Sequence, residues 1–158
     1  MNNRYFTLSI ILLVIIILFV FIHRFVLKTD DSNVYIKAFD KVIISDLNQN
    51  KFFFSRLLPI KKDSYVLLFE LRNCYSCIIN GFEDLIKLQK SGENCIAIAI
   101  HDLIEEVKGW SINVSFNNLF VLKKIDYYKY FSAAHLPILI KIQNKKIVSY
   151  RYIKNVMI

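Results

Sequence analysis

A pair of cysteines at the junction of an apolar run and a helix-like segment constrains this chain more than any other feature. The run Tyr65–Phe69 is short, apolar and bounded by polar residues, which is typical of a buried strand. The residues that follow Cys77, as far as Lys90, repeat apolar side chains along one helical stripe. Cys74 and Cys77 are therefore predicted to lie where a strand ends and a helix begins.

This position favours a reactive dithiol. The amide dipoles at a helix N-terminus stabilise a thiolate relative to a thiol. We expect Cys74 to be exposed at or near the helix cap and Cys77, one turn later, to be shielded. One sulfur is thus placed to attack a disulfide and the other to resolve the mixed disulfide. The sequence predicts Cys74 and Cys77 as catalytic residues of a redox-active disulfide that needs no other cofactor.

Composition narrows the alternatives. The 158 residues are enough for one domain plus an attachment. The formal net charge of +8 comes from scattered lysines and arginines, without the basic stripe of a nucleic-acid module, so we expect no nucleic-acid partner. Of the three cysteines, Cys95 lies in a separate apolar run. This pattern indicates a redox pair plus a buried thiol and not a disulfide framework.

The N-terminus is predicted to cross a membrane. Residues Tyr5–Ile22 contain no charge and would span about 27 Å as a helix, and the apolar stretch continues to Leu27. A cleaved signal peptide is the weaker alternative, since no small-x-small site follows and the first alanine is Ala38. We therefore expect a transmembrane signal anchor at 1–28, a linker at 29–33 and a folded domain at 34–158.

Two arguments about orientation disagree. Arg4 precedes the span, whereas Arg24 and Lys28 follow it, and this count alone would place the domain in the cytoplasm. A four-residue tail before a long apolar run, however, is typical of a bacterial export signal. A disulfide-active domain tethered to a membrane also fits best on the oxidising face. We expect a single-pass protein whose C-terminal domain is extracytoplasmic.

The rest of the chain alternates strand-like and helix-like segments. The predicted strands are Val34–Phe39, Lys41–Ser45, Lys51–Phe54, Cys95–Ile100, Asn118–Leu122, Ile138–Ile142 and Ile147–Tyr152. A helix is predicted at Leu103–Trp110, with Asp102 as its cap, and a short helix or turn is predicted at Tyr127–Phe131. Strands alternating with helices, followed by a terminal hairpin, predict an α/β fold with a mixed sheet, parallel at its centre and flanked by helices.

With these features in order, the chain resembles the thioredoxin superfamily and, within it, the membrane-anchored TlpA-like thiol-disulfide oxidoreductases. The resemblance rests on the strand–CxxC–helix of Tyr65 to Lys90, the strand Cys95–Ile100, and His135-Leu136-Pro137 at the start of the hairpin. It implies that Pro137 is cis, lies beside the cysteines and holds the substrate backbone. It also implies that Leu136 offers its backbone groups to an extended peptide, so that Leu136 and Pro137 bind protein disulfides.

The chain departs from this family at three positions. Asn73 precedes the first cysteine, where an aromatic residue is common, and Leu68 stands where the family has a buried acid. Asn80 stands where many TlpA-like proteins carry a glutamate. Glu70 and Glu83 are nearby acids at other positions. These departures keep open a redox-inactive thioredoxin-like module that binds a partner protein at the membrane.

Other cysteine chemistries fit less well. A zinc site would need a second ligand pair, and haem attachment would need a histidine in place of Ile78, so no metal site is predicted. His135, two residues before Pro137, is either a proton carrier for the dithiol or an ordinary loop residue. The leading interpretation is an oxidoreductase that acts on protein disulfides in the cell envelope with an unidentified redox partner. The Tyr75-Ser76 dipeptide does not indicate whether it reduces or oxidises.

Overall fold

The computed structural model describes residues 34–59, 62–133 and 135–154. Twelve regular elements lie in these ranges, together with two 3-10 turns at Phe39–Lys41 and Phe54–Leu57. The strands are β1 Tyr35–Ile36, β2 Ile43–Asp46, β3 Lys51–Phe53, β4 Ser64–Phe69, β5 Asn94–Ile100, β6 Leu119–Leu122, β7 Phe131–Ser132, β8 Ile138–Gln143 and β9 Lys146–Tyr152. The helices are α1 Tyr75–Lys90, α2 Ile104–Ser111 and α3 Lys124–Tyr130.

Seven of the strands form one mixed sheet in the order β3-β2-β6-β5-β4-β8-β9. The neighbours β6, β5 and β4 are parallel, whereas β2 and β8 add to them antiparallel. Six of the seven residues of β5 are buried, as expected of a parallel strand that is covered on both faces. The predicted α/β class with a parallel centre is confirmed.

The register of β8 fixes the position of the proline loop. β8 runs antiparallel to β4 and pairs Ile138 with Leu68. Pro137, which comes directly before β8, therefore lies at the carboxyl end of β4, where Cys74 also lies. The Leu136–Pro137 peptide bond is cis. The β8–β9 turn has positive φ at Asn144 and Lys145, a combination found in two-residue hairpins.

Helix α1 packs closely on the sheet. Its buried side chains include Ile78, Phe82 and Leu85, all on the stripe that the sequence predicted. Gly81 allows the close approach, since a Cβ atom built there would lie 2.8 Å from Cδ1 of Leu67. Beyond the end of the helix, Gly92 has a φ of 86°, which is the usual left-handed stop.

The sheet separates two apolar clusters. Side chains that alternate along β4 enter opposite clusters, with Leu68 on one side and Leu67 and Phe69 on the other. On the α1 side, Phe69, Phe82, Trp110 and Phe116 form a chain of ring contacts at 5.3–5.6 Å. Trp110 is thus a packing residue.

The N-terminal part of the domain differs from the predicted strands. The predicted Val34–Phe39 is reduced to β1, because Ala38 takes a positive φ of 52° and turns the chain into a 3-10 helix. β1 pairs with β7, which includes Phe131, a residue predicted to lie in a short helix or turn. Local pattern could not reveal this two-stranded sheet because the partners lie about a hundred residues apart in the chain.

The predicted cap of α2 is also wrong. Leu103 is the N-cap of α2 and makes no side-chain cap hydrogen bond. The Asp102 carboxylate instead accepts a hydrogen bond of 3.2 Å from the backbone N–H of Lys124, at the start of α3. Asp102 follows β5 and Lys124 follows β6, so the parallel pairing of these strands brings the two residues together.

The predicted anchor at 1–28 and linker at 29–33 lie outside the described residues. Among the helices of the described ranges, none is long and apolar enough to cross a membrane.

Candidate dithiol active site

The two cysteines lie at the start of α1. Cys74 is the N-cap residue, and its Sγ accepts a hydrogen bond of 3.3 Å from the backbone N–H of Cys77. Cys74 is exposed, whereas Cys77 is only 6% exposed. This is the difference in accessibility that the spacing predicts, so a substrate can reach one sulfur and not the other.

The sulfurs of Cys74 and Cys77 form a disulfide, with the Cα atoms 5.2 Å apart. A Cα separation in this range needs no movement of the backbone to close the bond. The two residues on either side of one helical turn are therefore in position for a reversible disulfide. Their catalytic roles stay predictions.

Ser76 is a site residue that sequence reasoning missed. Its Oγ lies 3.2 Å from the Sγ of Cys74, and only the hydroxyl can be the donor while that sulfur is in the disulfide. The contact arises because residues 74 and 76 both lie in the first turn of the helix, where the cap side chain folds back over the following residues. The signal in the sequence was a hydroxyl residue inside the CxxC spacing.

The proline loop lies within hydrogen-bond reach of the residue before Cys74. The side-chain amide Nδ2 of Asn73 donates a hydrogen bond of 3.2 Å to the carbonyl oxygen of Leu136. Pro137 is buried and Leu136 is half-buried. The structure thus brings together the predicted catalytic and substrate-binding segments. Asn73, which appeared only as a departure from the family pattern, connects them.

No acid occupies the positions that the family uses. Leu68 is fully buried in an apolar cluster. Glu70 forms an ion pair with Lys124, and the hydrogen bond that the Lys124 ammonium donates to the Glu70 carboxylate is the main cause that raises the pKa of Lys124. Glu83 is exposed on α1. Glu70 therefore joins the turn before the dithiol to the start of α3.

The third cysteine is placed for packing. Cys95 is 1% exposed, and burial, with a smaller contribution from Glu93, raises the pKa of its thiol to about 11. A thiol that stays protonated is a poor nucleophile. Cys95 is thus a buried thiol, as its apolar surroundings predicted.

His101 and His135 lie in different environments. His101 is buried, accepts at Nδ1 a hydrogen bond of 3.1 Å from the backbone N–H of Leu103, and lies 3.2 Å from a carboxylate oxygen of Glu106. His135 is exposed, and its ring makes an edge contact with the Tyr152 ring at 5.5 Å. Within the described ranges, no group of three or more His, Cys, Asp or Glu side chains is arranged to hold a metal ion.

Comparison with known proteins identifies the fold. No protein-family model matches the chain, and no curated protein does. The thioredoxin domain of a thiol-disulfide oxidoreductase from Bacteroides vulgatus aligns with a TM-score of 0.57 and 18% identity, over 74% of this chain and 90% of that chain. The domain has the thioredoxin-like fold.

Two further solved structures support this thioredoxin-like assignment. A thiol:disulfide interchange protein from Bacteroides sp. aligns with a TM-score of 0.54 and 16% identity, over 69% of this chain and 75% of that chain. A secreted disulfide oxidoreductase from Mycobacterium tuberculosis aligns with a TM-score of 0.51 and 9% identity, over 72% and 84% of the two chains. At these identities, the likeness concerns the fold.

Proposed function

We propose that the chain is a membrane-anchored, TlpA-like thiol-disulfide oxidoreductase that acts on protein disulfides in the cell envelope. One observation carries this proposal. The exposed Cys74 caps a helix, pairs with the shielded Cys77, and lies next to a cis-proline loop that is joined to the dithiol turn through Asn73. The names of the solved structures with this fold agree with such chemistry.

The reaction proceeds by two thiol–disulfide exchanges. In the reducing direction, which we favour, the Cys74 thiolate attacks a substrate disulfide, forming a mixed disulfide and releasing one substrate thiolate, which solvent protonates. Cys77 then gives its proton to solvent and attacks the Sγ of Cys74, which releases the second substrate thiol. Two electrons pass from the dithiol to the substrate, and a partner dithiol must return them.

The neighbouring loop supplies the surface for the substrate. Asn73, the residue before Cys74, bonds the Leu136 carbonyl, so an extended peptide bound along the Leu136–Pro137 loop would have its disulfide near the exposed sulfur. Tyr75, which is 58% exposed beside Cys74, adds an apolar surface for that peptide. An exposed sulfur beside a backbone loop suits a polypeptide substrate, whereas a small molecule usually binds in a concave pocket.

The location in the cell is proposed from the N-terminal sequence. The uncharged stretch Tyr5–Ile22 supports a membrane anchor through residues 5–27, and a catalytic disulfide is useful on the oxidising face. A membrane-impermeant maleimide added to reduced spheroplasts should label Cys74. Labelling that appears only after the cells are lysed would place the domain in the cytoplasm and overturn this part of the proposal.

A glutathione redox titration of the full chain in detergent tests the activity. We expect Cys74 and Cys77 to interconvert between dithiol and disulfide at a defined potential. Cys74→Ser should abolish the transition, whereas Cys95→Ala should leave it in place. If the disulfide does not form, or resists exchange at every accessible poise, the enzyme proposal fails.

That result would favour the second candidate, a redox-inactive module that binds a partner protein at the membrane. The observation in its favour is the apolar Leu68 at the family's acid position, because a buried acid there would otherwise assist proton transfer. The titration separates the two candidates, since only the oxidoreductase needs a reversible dithiol.

A further inference from the structure

The sulfur of Cys74 has two hydrogen-bond partners in the first turn of α1. The backbone N–H of Cys77 lies 3.3 Å from it, and the hydroxyl oxygen of Ser76 lies 3.2 Å from it. The backbone group would be present with any residue at position 76. The hydroxyl is present only because that residue is Ser76.

The strength of the Cys74 sulfur as an acceptor for this hydroxyl differs between the two redox states. A disulfide sulfur and a neutral thiol are weak acceptors, whereas a thiolate is charged and accepts strongly. The hydroxyl hydrogen of a serine rotates to suit its partner. When the disulfide is reduced and Cys74 ionises, the Ser76 O–H can therefore turn toward the sulfur without any change of the backbone.

Other charges near the dithiol are already partnered or lie on neighbouring segments. The first turn of α1 contains no acidic residue. In the turn before Cys74, Glu70 is paired with Lys124, and Arg72 is exposed. His135 lies on the proline loop, where its ring contacts an aromatic ring. Ser76 is thus the residue whose side chain hydrogen-bonds the reacting sulfur, within the described part of the chain.

We propose that the Ser76 hydroxyl donates a hydrogen bond to the Cys74 thiolate and thereby stabilises the reduced dithiol relative to the disulfide. This inference rests on the proposed oxidoreductase function. It makes Ser76 the residue of the Tyr75-Ser76 dipeptide that sets the balance between the two redox states.

Removing the hydroxyl should affect two measurements. In Ser76→Ala, alkylation of Cys74 at neutral pH should slow by about fivefold, the size expected of one hydrogen bond to a charged but exposed acceptor. The equilibrium with glutathione should move toward the disulfide by the same factor at alkaline pH. That change corresponds to a potential roughly 20 mV more negative.

The pH dependence distinguishes this role from a structural one. At low pH, Cys74 is a thiol in both proteins, so their equilibria with glutathione should coincide. The equilibria should diverge as pH rises through the ionisation of Cys74. Alkylation should show the opposite trend, because its difference disappears once Cys74 is fully ionised in both proteins.

The experiment compares the full chain in detergent with three variants. Alkylation rates at Cys74 are followed against pH by peptide mass spectrometry, and equilibria are measured in glutathione buffers. Ser76→Thr keeps a hydroxyl and should behave like the unmodified protein. Ser91→Ala removes a serine hydroxyl from the other end of α1, where it bonds the Lys87 carbonyl at 3.1 Å, and should change neither measurement.

The outcomes separate the two proposals. If the unmodified protein does not cycle, the oxidoreductase function fails. If it cycles but Ser76→Ala matches it at every pH, the role of Ser76 is overturned. A difference between Ser76→Ala and the unmodified protein that is the same at all pH values would also overturn it, because the effect would not depend on the thiolate.

Discussion

Replacing Gly81 with alanine tests the close packing of α1 on the sheet. A Cβ atom at this position would lie 2.8 Å from Cδ1 and 3.1 Å from Cδ2 of Leu67. Leu67 is fully buried within the α1-side cluster, so its methyl groups can move only by displacing other core atoms. Gly109, in α2, offers a matched control, because a Cβ atom there would meet nothing within 4 Å besides its chain neighbours and the backbone of its own helix.

Both substitutions gain helix propensity, but only Gly81→Ala also overpacks the core. Alanine in place of glycine inside a helix contributes about 1 kcal/mol of stability through helix propensity. Overpacking a filled core costs about 1–3 kcal/mol. Gly109→Ala should therefore gain up to about 1 kcal/mol, whereas Gly81→Ala should lose as much as about 2 kcal/mol. The difference between the variants, about 1–3 kcal/mol, isolates the contact with Leu67.

Thermal unfolding followed by circular dichroism measures this difference. In a domain of this size, 1 kcal/mol corresponds to a Tm shift of about 4 °C, so Gly81→Ala should melt about 4–12 °C below Gly109→Ala. In a protein that already carries Leu67→Ala, and so lacks the contacted methyl groups, Gly81→Ala should lower the Tm by less than it does in the unmodified protein. If Gly81→Ala is stabilised as much as Gly109→Ala, the helix is not held against the sheet in the way described.

Two further predictions concern the site and the buried thiol. Asn73→Ala removes the hydrogen bond to Leu136 and should lower kcat/KM for insulin disulfide reduction by about 2- to 12-fold. The control Asn113→Ala removes a similar bond to the Trp110 carbonyl and should leave kcat/KM unchanged. Equal effects of the two substitutions would contradict the role of Asn73. Because burial raises the pKa of Cys95 to about 11, the unfolded state releases this proton first, so stability should fall as pH rises from about 9 to 11, by about 1 kcal/mol at pH 10. Urea unfolding should show this slope, and Cys95→Ala should remove its share of it.

The sequence could predict the central sheet because its signals were local. The buried strands read as unbroken apolar runs, and α1 shows a helical stripe followed by Gly92 at its end. The position of the dithiol followed from those two elements alone. These features depend on residues within one or two turns of each other, which is the range in which pattern is informative.

The contacts that complete the site are not local, and pattern did not reveal them. The bond from Asn73 to Leu136 spans 63 residues, and the bond from Lys124 to Asp102 spans 22. Each arises only when the strands pair and bring the ends of separate loops together. In the sequence, Asn73 only marks the absence of the aromatic residue that is common at this position in the family. The role of its amide is visible only when the acceptor, the Leu136 carbonyl, is known.

The two environments of cysteine in this domain show how position sets reactivity. Cys95 lies on a central strand, where burial, with a smaller contribution from Glu93, disfavours the charged thiolate. Cys74 caps a helix, is exposed to solvent, and has an N–H group and a hydroxyl directed at its sulfur. The same kind of side chain is therefore a packing group at Cys95 and, in the proposed function, the nucleophile at Cys74. Transferring the Ser76 hydroxyl to the neighbourhood of Cys95 would not activate it, since one hydrogen bond cannot offset full desolvation of a charge.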